Sequence, residues 1–248
     1  MCNFQKNDEK TMCTVTLIAT PEIRNGFILT SNRDEAVGRK TLTPDWELYK
    51  GVNLFFPKDA VAGGTWIGVS ERLRTVCLMN GGFQNHKRKD SYRKSRGVVV
   101  KDFLAAEDLE LTIMDYNCED IEPFTVILVD WHKELLFLEF VWDGNEKHIK
   151  NLPQTEHIWS SSPLYSEEMK ALRQQWFTEF QNEGDINPEK LLKFHHTGGI
   201  GDKKVDLIID RGFLKTQSIT QVDNCHFETR FWYKDLNQSV VFEKKIKF

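Results

Sequence analysis

Two β-prone runs, residues 13–18 and 27–31, flank a short segment that contains Pro21, Asn25 and Gly26, and the second run continues into Ser31-Asn32-Arg33-Asp34-Glu35. Apolar runs on either side of such a segment read as a β-hairpin. A hairpin returns the polar cluster at the end of its second strand to the start of its first. That start is Cys13, directly after Met12.

A methionine followed by a cysteine and a β-rich run has the shape of an N-terminal nucleophile. If Met12 is the start and is trimmed, Cys13 carries both a thiol and a free α-amine. The thiolate is the attacking species, so the thiol needs a base or a depressed pKa, and an amine on the same residue is always within reach. In the hairpin, Arg33 would lower the thiol pKa and Asp34 would orient the amine or a bound substrate. The alternative reading is a buried strand cysteine, with Arg33 and Asp34 a surface pair at a strand end. Met1-Cys2 is a second Met-Cys start. The mature chain could thus begin at Met1, Cys2 or Cys13.

Further along lie Ala62-Gly63-Gly64-Thr65-Trp66-Ile67-Gly68, then Asn80-Gly81-Gly82, then Ser95-Arg96-Gly97. Together with Met12-Cys13 and the Asn-Arg-Asp-Glu block, these motifs occur in the order seen in the NRDE family, also called the Transport and Golgi organisation protein 2 family, which the chain resembles from Met12 to near its C-terminus. The resemblance implies the αββα sandwich of N-terminal nucleophile hydrolases, an α+β fold, and chemistry akin to that of acylases that open linear amides with an N-terminal cysteine. It also implies roles. Asn80 would donate to the oxyanion, and Arg230 would lie near the nucleophile. A second asparagine is expected in the block 158–164, where this chain has Ser161. Asn32, Trp66 and Ser161 are read as substrate contacts, with Cys13, Arg33, Asp34, Asn80 and Arg230 as the catalytic set.

Composition adds bounds. A chain of 248 residues with 40% hydrophobic content can form a substantial core. We expect a polar leader at 1–11 outside the core and a single domain over 12–248. A net charge of -4 gives no overall electrostatic reason to bind nucleic acid or an anionic membrane. No run approaches a membrane span, and residues 1–11 lack the apolar core of a signal peptide. Five scattered cysteines without a CxxC pair argue against a disulfide scaffold or structural zinc and suit a reducing cytoplasm.

Strands are expected at 13–18, 27–31, 66–69, 75–80, 124–130, 135–142 and 157–160, with a terminal hairpin at 229–233 and 239–246. Helices are expected at 97–106, 109–116, 166–181 and from 187 to about 195. In the third, Ser166 suits the N-cap, and Met169, Leu172, Trp176 and Phe180 form the apolar stripe. The glycine-rich run 198–204 lacks the phosphate-loop pattern and reads as a mobile loop. His195-His196 with Cys225-His226 does not complete a metal-ligand set, so no metal or cofactor is expected. The basic run 86–96 is either a solvated face or a holder for a phosphate, a carboxylate or a haem propionate. Two functions follow. One is a cysteine hydrolase for an amide or thioester of a small or acyl-chain substrate. The other is a non-catalytic carrier of lipid or haem on the same fold.

Overall fold

The computed structural model describes residues 12–161, 165–225 and 228–248. The leader with Cys2, the Ser162-Pro163-Leu164 part of the serine block, and His226 lie outside the described residues. β1 (Met12–Ala19) and β2 (Phe27–Ala36) form the expected hairpin, with Cys13 opposite Arg33 and Met12 opposite Asp34. The second strand runs five residues past its apolar part. β2 is paired on both sides, so backbone bonding carries the strand through the charged residues.

β3 (Thr41–Tyr49) and β4 (Val52–Asp59) follow as a second hairpin that the sequence patterning did not suggest. β3 is an edge strand with mostly exposed residues, and Pro44 sits where its register against β4 slips, between Leu42 and Asp45. Proline is tolerated at such an edge irregularity. The chain continues through β5 (Ile67–Ser70), β6 (Arg74–Asn80), α1 (Arg96–Ala105), α2 (Leu109–Asp115), β7 (Phe124–Asp130), β8 (Leu136–Trp142), β9 (Lys147–Leu152) and β10 (His157–Ser160). It closes with α3 (Glu167–Gln181), α4 (Pro188–Thr197), β11 (Leu214–Asp223), β12 (Thr229–Asp235) and β13 (Val241–Ile246).

The strands form two antiparallel sheets. One has the order β10-β1-β2-β11-β12-β13 and the other β3-β4-β5-β6-β7-β8-β9. Strand alternation decides what each face carries. Cys13, Val15 and Leu17 of β1, with Phe27 and Leu29 of β2, point at Phe55, Ile67, Val69, Cys77 and Ile127 of the facing sheet and make the central core. The opposite face of the first sheet, through Ile18 and Ile28, packs on Trp176 and Phe177 of α3 and Leu191 and Phe194 of α4. The opposite face of the second sheet is covered by α1 and α2. This is the expected αββα sandwich.

Helix starts follow local chemistry. Ser166 and Asn187 accept hydrogen bonds from the N–H groups of Met169 and Lys190, and Pro188 opens α4. One expectation for α3 fails. Leu172 stays at the surface, 36% exposed, while Arg173 beside it is fully buried.

Candidate active site

Cys13 lies near the N-terminal end of β1 at the base of a cleft between the sheets, lined also by Arg33, Glu35, Asp59, Trp66 and Asn80. The cleft encloses about 90 Å³, smaller than the usual small-molecule site. Cys13 is only 5% exposed. Its cross-strand neighbours on both sides are site candidates. Arg33 is opposite it on β2, and Ser161, just past β10, donates its backbone N–H to the Cys13 carbonyl at 3.0 Å.

Arg33 does not approach the thiol as a bare cation. Its guanidinium stacks over the Trp66 ring at 4.3 Å and reaches Glu35 at 3.3 Å, Asp59 at 3.2 Å and Thr41 at 3.2 Å. Arg39 joins the same carboxylates, 2.8 Å from Asp59 and 3.6 Å from Glu35. Charges in the cleft are therefore nearly balanced. The expected depression of the thiol pKa does not occur. Burial pushes the Cys13 thiol well up, Asp34 and Cys77 add to this, and Arg33 together with the backbone N–H of Asp34 only partly offsets it. A thiol with an attached Met12 and no nearby base is held in its neutral form.

Asp34 and Asn32 are on the even-numbered track of β2; Asp34 contributes to the cleft lining, but its carboxylate, like the Asn32 amide, bonds on the helix-covered side. The Asp34 carboxylate is fully buried under the helices and accepts from Tyr165 Oη at 2.9 Å and Thr216 Oγ1 at 2.6 Å. Burial pushes it up to about 6, while the charge of Arg173 and both hydroxyls act to lower it. Asn32 is not a cleft contact. Its amide donates to the carbonyls of His195 and Leu207, and its oxygen accepts from His195 Nδ1 at 2.8 Å. Its hydrogen bonds pin α4 and the following loop to the sheet.

Arg230 is likewise elsewhere. It lies across from Asp223 at the far end of the sheet and binds Asp223 at 2.8 Å and Glu189 of α4 at 3.2 Å. Asp223 pairs with Ile28, five residues along β2 from Arg33, so Arg230 is roughly 16 Å from Cys13 along the strand direction alone. It also belongs to the helix-covered face, the wrong side for the thiol.

Trp66 and Ser161 remain at the site. The Trp66 Nε1 and the Ser161 Oγ are both buried with no hydrogen-bond partner among the described residues. The Ala62–Ile67 turn reaches α1 by backbone contact. A Cβ on Gly64 would lie 2.8 Å from the Gly97 Cα, so the two glycines permit an approach that no other residue allows. This contact brings Ser95, Arg96 and Gly97 to the cleft wall. Most of the basic run is paired with carboxylates. Arg96, Arg88 and His86 converge on Glu122, Lys89 meets Asp120, and Lys94 meets Asp102.

Among the described residues no group of His, Cys, Asp and Glu is arranged to hold a metal ion; His226 lies outside them. His195 is fully buried between Thr16 and Asn32, at 2.8 Å from each, and burial holds it down at about 3. The ring of His196 instead meets Trp232 edge-on.

The buried residues that sequence reasoning missed are Tyr165, Arg173 and Thr216, while His195 was weighed only as a metal ligand. Their signal was faint, since only a polar residue at an inward helix position marks Arg173.

The fold has counterparts. The structure is similar to penicillin V acylase from Agrobacterium tumefaciens, with a TM-score of 0.59 and 12% identity over 94% of this chain and 86% of that one. It is similar to a variant of conjugated bile acid hydrolase from Clostridium perfringens, with a TM-score of 0.55 and 9% identity over 95% and 97%. A Caenorhabditis elegans orthologue of N-acylethanolamine-hydrolysing acid amidase gives a TM-score of 0.55 and 10% identity over 84% and 92%. At these identities the likeness establishes the N-terminal nucleophile hydrolase fold alone. A sequence search of curated proteins finds no match. No helix among the described residues is long and apolar enough to cross a membrane. The sequence profile of the Transport and Golgi organisation 2 family matches residues 12–220, and with the hairpin, the Gly-Gly-Thr-Trp turn and the cleft all within that span, the chain belongs to that family.

Proposed function

We propose that this protein is an N-terminal cysteine hydrolase for an amide or thioester of a small or acyl-chain substrate, active in a form that begins at Cys13. The observation that carries this reading is the placement of Cys13 near a strand end, at the base of a cleft that also presents Asn80, with Ser161 bonded to the Cys13 carbonyl from the end of the next strand. The related acylases and amidases open amide bonds, which gives the reaction class. The α-amine of Cys13 takes the thiol proton, and the thiolate attacks the carbonyl carbon. The Asn80 amide and the Ser161 hydroxyl stabilise the oxyanion. The C–N or C–S bond then breaks, and the leaving group takes the proton from the ammonium. Water, deprotonated by the same amine, attacks the acyl-thioester and releases the acid with the free thiol. Arg33, Arg39, Glu35 and Asp59 at the cleft wall bind the polar end of the substrate.

A second reading follows from the thiol itself. While Met12 is attached, the Cys13 nitrogen is an amide and cannot accept a proton, and the thiol is held neutral. In that form the cleft is a binding site, and the protein carries a lipid or haem. The test offers acyl-amides, acyl-thioesters and haem to the full chain, to a chain starting at Cys13, and to its Cys13→Ala variant. The hydrolase reading expects a covalent acyl adduct by intact mass, and product, only with the Cys13-led chain. Cys13-independent binding within about tenfold, or 1.4 kcal/mol, without turnover selects the carrier.

A further inference from the structure

The outer face of β1 and β2, on the side of the sheet away from the cleft, holds two buried charges that do not touch. Arg173 is fully buried, yet its donors go only to uncharged acceptors: Thr14 Oγ1 at 2.5 Å and the carbonyls of Val205 and Asp206 at 3.1 and 2.7 Å. Asp34 is fully buried, yet its oxygens accept only from the Tyr165 and Thr216 hydroxyls. Each alone is a costly arrangement, since an ion removed from water needs an opposite charge as well as hydrogen bonds. One side chain spans both. The Arg173 guanidinium packs on the face of the Tyr165 ring, 3.6 Å from its centroid, and the hydroxyl of that ring donates to Asp34. A cation on the ring face strengthens the polarisation of the ring towards its hydroxyl hydrogen.

We propose that Arg173 is the counter-charge of Asp34, coupled to it through Tyr165, and is thereby a positioning residue for the Cys13 amine. Asp34 stands opposite Met12, the residue that precedes the Cys13 nitrogen, and its charge acts on Cys13. In a Cys13-led chain this carboxylate is the anion that holds the new α-amine in place. It does so only while ionised, and Arg173 keeps it so. The consequence for the amine rests on the hydrolase reading; the coupling itself does not.

The groups facing Asp34 are few. Cys13 is on β1, Tyr165 precedes α3, Arg173 is on α3, Thr216 on β11, and Arg211, before β11, adds a smaller positive charge. His195 on α4 feels Arg173 but is held neutral. Arg173 does most to hold Asp34 ionised, ahead of the Thr216 and Tyr165 hydroxyls and of Arg211.

The experiment titrates Asp34 in the full chain by carbon NMR with labelled aspartate, the Asp34→Asn variant assigning the signal. Arg173→Met should raise the midpoint by at least about one pH unit, and Arg173→Lys, which keeps the charge, should stay within about half a unit of the parent. A folded Arg173→Met protein with the parental midpoint overturns the proposal. If Arg173→Met does not fold, the double variant Asp34→Asn/Arg173→Met decides. Recovery of folding on removing both charges supports counter-charges, and failure of the double where Asp34→Asn alone folds overturns them. No substrate enters these measurements. A parental titration sinks the coupling and leaves the hydrolase reading standing, while an inert Cys13-led chain does the reverse.

Discussion

Asp34 and His195 are both fully buried, and their effects on stability run in opposite directions with pH. Asp34 titrates near 6 in the folded chain against an ordinary 3.8. Between those values the folded state binds the proton more tightly, so its contribution is present below pH 4 and lost as pH rises through 6. The loss is on the order of 3 kcal/mol. The urea stability of the parent minus that of Asp34→Asn should therefore fall from pH 4 to 7. A flat difference would mean that Asp34 titrates normally. His195 is held at about 3 against an ordinary 6.5. Its contribution is present above 6.5 and lost as pH falls, by about 2 kcal/mol at pH 5. The stability gap between the parent and His195→Gln should shrink by that amount from pH 7 to 5, measured in the same way. A gap that stayed constant would show that His195 ionises inside the fold.

Among the elements, the β1–β2 hairpin was legible because two apolar runs and a turn state it locally, and β12–β13 for the same reason. β3, β4, β9 and β11 were not. β3 and β9 are edge strands whose exposed faces carry polar residues, so neither shows an apolar run. β11 reads Lys-Thr-Gln-Ser-Ile-Thr-Gln-Val, polar in sequence yet almost wholly buried. Its Gln221 and Thr216 side chains find partners distant in the chain, Gln221 on Thr30 and on the carbonyl of Pro188, Thr216 on Asp34. No local pattern encodes such partners. The same reason hid half of the candidate site. Cys13, Arg33, Trp66 and Asn80 were legible as motifs and meet in one cleft, whereas Asn32 and Arg230 were assigned by motif without regard to which face of the sheet they occupy. Arg173 went unseen because a charged residue at an inward helix position looks like a break in the stripe.

At the scale of the molecule, the turn before β5 and the start of α1 are joined by glycine backbone rather than by side chains. Adding a methyl to Gly64 or to Gly97 drives it to 2.8 Å and 2.9 Å from the opposing backbone. Gly64→Ala and Gly97→Ala should each cost about 1–3 kcal/mol in urea denaturation. The double variant should cost less than their sum, because both strain one contact; strict additivity would show that the two segments are not in register. The alternation along β2 has a different consequence. Arg33 and Asp34 are consecutive, yet one faces the cleft and the other the space under the helices, and the strand is the only partition between them. A substitution in β2 damages one compartment. Loss or gain of a single residue would exchange their contents, turning Arg33 under the helices beside Arg173 and Asp34 into the cleft against Glu35 and Asp59. The length of this strand is therefore held more tightly than any side chain in it.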